Sequence, residues 1–220
     1  PEKLWVRHSP EIYIMSRTND INNTKIREGK MDIKTYVQTV DELEQWNPLT
    51  KTEFPVSIDF LKSDIFPAFQ VDLPDFENNE YTVDEFLVMV KNHSDLQAVN
   101  VIKERFGYMV NDTICEVGNI LINGAKVMTI NSESTELDDI KKTMSDVGLD
   151  GVENINYLQA IKRVLGWIDK PLANWSFNMA NEIERKFLIK SLPEDMSGTT
   201  MRQGYLQPEK ERAVRIRTVE

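Results

Sequence analysis

Charged and apolar residues alternate one for one in several short runs of this chain, and a period of two is what a strand with two unlike faces requires. In Glu182-Ile183-Glu184-Arg185-Lys186, the residues Glu182, Glu184 and Lys186 fall on one face. In Val214-Arg215-Ile216-Arg217 the arginines share one face, and Val214 and Ile216 take the other. Two carboxylates about 7 Å apart on a rigid strand suit a hard divalent cation whose remaining ligands are water or phosphate oxygens. The same alternation fits a half-exposed surface strand. Enclosing like charges is costly without a counter-charge, so an enclosed face of this kind calls for a polyanion together with a metal.

Composition removes several other classes. With 40% hydrophobic residues among 220, the chain carries enough apolar material for a core. Its net charge of −10 disfavours general duplex binding, which needs a cationic surface. A small anion in a locally basic pocket remains compatible. Cys115 is the single cysteine and is expected to be a buried small side chain; with His8 and His93 the only histidines, multi-Cys and His-rich metal sites are disfavoured. No Ser elbow accompanies either histidine, and there is no glycine-rich phosphate loop. No apolar run approaches the roughly 20 residues of a membrane span, and no signal-peptide pattern occurs. The expectation is a soluble, cytoplasmic protein with neither membrane nor nucleic acid as partner. Pro1 in place of an initiator Met, and a strand pattern still running at Glu220, read as the ends of a piece cut from a longer protein.

The pattern along the chain predicts strands at Ile12–Arg17, Asn23–Arg27 and Met31–Val37, the last two joined by Glu28-Gly29-Lys30. A helix is expected over Ser57–Phe66, closed by Pro67. A second should start at the capping box Thr82-Val83-Asp84-Glu85 and run to about His93. Val99–Val110, Thr113–Ile122 and Lys126–Ser132 read as consecutive strands. Thr135–Val147 reads as an amphipathic helix with Leu137, Ile140, Met144 and Val147 on its apolar face, and Asn156–Leu165 as a last short helix. Residues 169–178 form a linker, after which 179–220 is strand only.

Asn181-Glu182-Ile183-Glu184-Arg185-Lys186-Phe187-Leu188-Ile189, then Arg202-Gln203-Gly204-Tyr205-Leu206 and Val214-Arg215-Ile216-Arg217, resembles the opening of CYTH domains, the triphosphate tunnel metalloenzyme superfamily. The resemblance covers 181–217, the first quarter to third of such a domain. It implies a tunnel of antiparallel strands that binds triphosphate groups with Mg²⁺ or Mn²⁺. Glu182 and Glu184 would bind the metal and, with Lys186, form the catalytic set, while Lys186, Arg215 and Arg217 would grip phosphate. Residues 1–168 resemble a diverged CYTH-like unit whose opening glutamate-x-glutamate-x-lysine strand is missing. There the same-face pairs Lys25 and Arg27, and Lys103 and Arg105, with Lys34 on the next strand, stand as substrate-binding residues. Glu116 and Glu133 resemble the acidic, metal-binding positions of later strands. Glu44-Gln45-Trp46-Asn47-Pro48 and Lys51-Thr52-Glu53-Phe54-Pro55 also resemble a signature of bacterial CYTH-like proteins, with no role assigned.

The expected fold is therefore α+β: an antiparallel β-tunnel with flanking helices over 1–168, a linker over 169–178, and the first strands of a second, incomplete unit over 179–220. The function the resemblance implies is metal-dependent hydrolysis of inorganic triphosphate or a nucleoside triphosphate. Two alternatives share the fold: a class IV-type adenylate cyclase, and a non-catalytic module that binds polyphosphate or nucleotide.

Overall fold

A computed structural model describes residues 3–172, 201–205 and 215–219. The chain divides into two units, Pro1–Ala173 and Asn174–Glu220. In the first, the strands are β1 (Lys3–Ser16), β2 (Asn22–Arg27), β3 (Lys30–Val40), β4 (Leu43–Glu53), β5 (Val56–Ser57), β6 (Glu80–Tyr81), β7 (Leu96–Val110), β8 (Thr113–Ile122) and β9 (Ala125–Glu133). The helices are α1 (Ile58–Phe60), α2 (Phe66–Phe69), α3 (Val83–Asn92), α4 (Leu137–Asp146) and α5 (Tyr157–Val164). The second unit is described as one antiparallel pair, β10 (Met201–Tyr205) with β11 (Arg215–Val219).

Seven strands form one sheet in the order β4-β3-β2-β1-β7-β8-β9, and every pairing is antiparallel. The expected α+β class and antiparallel sheet are present. Among the described residues β4 and β9 do not pair with each other. β1 lies at the centre. It begins nine residues before the predicted Ile12, because Pro10 and the charged residues around it mask the strand pattern. β4 takes up the unassigned Glu44–Pro48 and Lys51–Glu53 segments; Pro48 is tolerated because this strand is at the sheet edge.

One face of the sheet packs on α1 to α3 through Ile14, Ile26, Met31, Ile33, Phe66, Phe69, Phe86 and Val90. The helical run is broken by a π turn at Leu61–Ile65 and then continues past Pro67, which sits in the first turn of α2 and does not close the helix. Thr82 caps α3 with the predicted reciprocal bonds to Glu85.

The other face carries Tyr13, Met15, Val99, Val101, Ile120 and Ile122, which pack against Leu158 and Ile161 of α5. Trp46 of β4 and Val127 of β9 join the same cluster. In a flat sheet these two edge strands would be about 29 Å apart. The eight residues of α5 extend only about 12 Å. The sheet therefore curls around α5. α4 departs from expectation: its buried residue is Thr143, while Leu137 and the flanking Val147 remain exposed. Among the described residues no helix is long and apolar enough to cross a membrane.

Candidate functional site

Strand register gathers a charged cluster on the face that curls around α5. Ser9 faces Lys103, Tyr13 faces Lys25, Lys25 faces Asp32, and Arg7 faces Arg105. Because side chains alternate, Glu11 lies between Ser9 and Tyr13 on this same face, in line with Arg27 of β2 one step beyond the last β1–β2 pair, Ile12 with Ile26. Glu116 of β8 and Lys34 of β3 complete it, opposite Gly107 and Asn23.

At the centre is Glu11, whose side chain is wholly buried. Its Oε2 lies 2.9 Å from Lys103 Nζ, and its Oε1 lies 3.5 Å from Arg27 Nη1 and accepts from Ser9 Oγ at 3.3 Å. Lys103 Nζ also donates to Tyr13 Oη at 2.7 Å and sits 3.9 Å from the centre of the Tyr157 ring. Burial works against the Glu11 charge, but the ammonium of Lys103, with Lys25 and Arg27 behind it, outweighs burial and holds the carboxyl below its ordinary value. Burial pushes the Lys103 ammonium down to about 8, against the pull of Glu11. It likewise pushes the hydroxyls of Tyr13 and Tyr157 up, and the Glu11 charge adds to both shifts.

The cluster opens away from α5. Helix α5 packs on the apolar end around Tyr13, and three cations of the face are partly exposed: Lys25, opposite Tyr13, at 19%, Arg27 at 36% and Arg105 at 17% of the side chain. Arg105 reaches Glu116 at 3.3 Å and Ser9 Oγ at 3.5 Å, and its buried Nε has no hydrogen-bond partner among the described residues. Lys25 pairs loosely with Asp32 at 3.8 Å. Half-buried Lys34 makes no ion pair among the described residues.

The expected substrate-binding residues Lys25, Arg27, Lys34, Lys103 and Arg105 are thus brought to one face, with Lys103 sealed beneath it. The two expected acidic residues, Glu116 and Glu133, fall on the same face as diagonal neighbours of β8 and β9. Glu116 is held by Arg105, and Glu133 is exposed at the end of β9, opposite Ile114. No group of three or more His, Cys, Asp or Glu able to hold a metal occurs among the described residues. Glu11, Asp32 and Glu116 are each engaged by a cation, which leaves Glu133 alone and does not make a donor set for Mg²⁺ or Mn²⁺ among the described residues. Glu182, Glu184 and Lys186 lie outside the described residues. Arg215 and Arg217 are on β11, in register with Tyr205 and Gln203.

Glu11 was not anticipated from the sequence, since it falls just before the apolar run that marks the strand. A carboxylate two residues before a tyrosine, at the start of the apolar run Ile12–Met15, is the signal that was there to read. No family model, curated protein or solved structure matches the chain.

Proposed function

We propose that the first unit binds the phosphate chain of inorganic triphosphate or a nucleoside triphosphate on its curled charged face, without a metal. The observation that carries this reading is the convergence of Lys25, Arg27, Lys34 and Arg105 on one partly open face of a chain whose net charge is −10. A basic concavity with low-dielectric walls focuses potential and concentrates small anions. Arginine guanidinium groups meet phosphate oxygens through paired N–H donors, and Arg27 and Arg105 are both partly exposed on this face. Of the three readings of the fold, this is the non-catalytic module, and the engagement of Glu11, Asp32 and Glu116 by cations favours it.

The resemblance of residues 181–217 assigns metal-dependent hydrolysis, if the intact protein performs it, to the second unit. There Glu182 and Glu184 would hold Mg²⁺ or Mn²⁺, which neutralises charge developing on the transferred phosphoryl group, and Lys186, Arg215 and Arg217 would bind phosphate oxygens.

Calorimetry of the 220-residue chain with tripolyphosphate and with ATP, in EDTA and in Mg²⁺, tests the reading. Binding is expected in EDTA. Arg105→Ala should weaken it about tenfold or more, since a hydrogen bond to a charged group contributes about 1.5–3 kcal/mol. Absence of binding, or binding that requires Mg²⁺, would overturn it.

A further inference from the structure

Glu11 meets the cations of this face much as a ligand oxygen would. Its two carboxylate oxygens are approached by Lys103 at 2.9 Å, Arg27 at 3.5 Å and the Ser9 hydroxyl at 3.3 Å. Two cations and a hydroxyl around a pair of anionic oxygens make a recognisable anion subsite, and here the chain's own side chain fills it. The carboxylate is fully enclosed. Lys103 is equally withheld from solvent, with a side chain 4% exposed and the rings of Tyr13 and Tyr157 at 5.0 and 3.9 Å from its ammonium. A phosphate arriving from the open end meets Arg27, Arg105 and Lys25 first and finds the innermost cation already neutralised.

We infer that Glu11 is a built-in counter-anion: it occupies the innermost anion position of the face, limits an incoming polyphosphate to the outer cations, and so sets the affinity of the site. This rests on the reading that the face binds polyphosphate. Two consequences follow from electrostatics. Glu11 lowers affinity for any anion, both by repulsion across a poorly screened interior and by neutralising Lys103 and part of Arg27. Its removal leaves a buried ammonium without a counter-charge, a state that an entering anion relieves. Glu11 is therefore a positioning and specificity residue: it fixes how deep an anion can go.

The test uses the 220-residue chain and Glu11→Gln, which keeps the shape and removes the charge, titrated with tripolyphosphate in EDTA. Glu11→Gln is expected to bind at least tenfold more tightly than the unsubstituted chain, and its unfolding midpoint should rise more at equal ligand concentration. Glu11→Asp, which keeps the charge, should show no such gain. Equal or weaker binding by Glu11→Gln, while the unsubstituted chain binds, would overturn the inference and leave the binding reading standing. A gain in Glu11→Asp as large as in Glu11→Gln would overturn it too. Failure of both the unsubstituted chain and Glu11→Gln to bind would overturn the polyphosphate site and this inference together. If Glu11→Gln is unfolded in buffer, the same titration reads ligand-driven refolding by circular dichroism. Recovery of structure is the expected result, and no recovery at a ligand excess that saturates the unsubstituted chain would overturn the inference.

Discussion

The ring of Tyr157 lies 5.4 Å from the ring of Tyr13, inclined by only 24°, so that the first residue of α5 stacks on the central strand. This stack, with the Lys103 ammonium against it, marks the line where the covered apolar end of the face gives way to the charged end. An isolated helix as short as α5 is unstable in water, so packing of this kind holds it. Tyr157→Ala is expected to destabilise the first unit by about 3 kcal/mol in denaturant unfolding. Tyr157→Phe keeps the stack but loses the side-chain bond to Thr129, and should cost about 1 kcal/mol. An alanine variant unfolding at the unsubstituted midpoint would contradict this role.

Lys162 fastens the same helix from its other side. Its buried ammonium donates to the carbonyl oxygens of Asn19 at 2.9 Å and Arg17 at 3.3 Å, and to Asp20 Oδ1 at 2.7 Å. Lys162→Met should cost about 2–3 kcal/mol, because it strips charge-assisted bonds from two carbonyls beneath the helix. Asp20 is more than half exposed, and Asp20→Asn should cost under about 1 kcal/mol. Hydrogen exchange in α5 should accelerate strongly in the first variant and little in the second; equal acceleration would place the latch in the ion pair alone.

The depressed Lys103 gives stability a pH dependence on the alkaline side. Below about 8 the folded and unfolded chains both carry its proton, and the cost of burying that charge is felt in full. Between about 8 and the ordinary lysine value of 10.5 the unfolded chain holds more proton, so stability rises with pH. The slope is at most about 1.4 kcal/mol per pH unit. Tyr13 and Tyr157, with hydroxyls raised above 10, work the other way only at higher pH. Glu11, held below its ordinary value, contributes stability that is present above 4.5 and lost as pH falls through its folded value. From pH 7.5 to 9.5, the unfolding free energy of the unsubstituted chain should rise relative to that of Lys103→Met. Parallel curves would show that Lys103 does not titrate there.

Gly107, facing Trp5 across β1 and β7, leaves room for the indole, and a Cβ at that position would overlap the ring. Arg7 lies 4.3 Å above the same indole, at the outer rim of the charged face. Gly107→Ala should destabilise by about 1–3 kcal/mol through overpacking. In a Trp5→Ala background that cost should largely disappear, giving a coupling energy that a double-mutant cycle reads directly. Additive effects would mean that the two positions do not meet.

How much of this was legible in the sequence depended on whether a local signal carried the information. The Glu28-Gly29-Lys30 turn and the Thr82 to Glu85 capping box act within four residues, and the structure has β2, β3 and α3 where they imply. The same-face cation pairs Lys25 with Arg27 and Lys103 with Arg105 follow from strand parity alone. Nothing local says that these two pairs flank one strand, or that Glu11 stands between them, because that depends on a pairing between segments about ninety residues apart. Pro67 misled because a π turn just before it shifts the backbone ladder. The apolar spacing of α4 misled because Leu137 and Val147 stay exposed among the described residues, and Thr143, which reaches the Val110 carbonyl at 3.3 Å, is what the helix buries.

The central place of β1 has a temporal side. Its partner β2 follows within a few residues, but the strand that covers its other edge is β7, which begins only at Leu96. At a synthesis rate of about 5–20 residues per second, that edge waits roughly 4–16 s on the ribosome with its backbone groups unsatisfied. The waiting segment includes Ile12-Tyr13-Ile14-Met15, an uncharged β-forming run of the kind that recruits neighbouring chains when left bare. Completion of the sheet is a long-range closure, which places the refolding of this unit in the slow regime of roughly milliseconds to seconds. The strand at the heart of the charged face thus also spends seconds with one edge bare during the protein's birth.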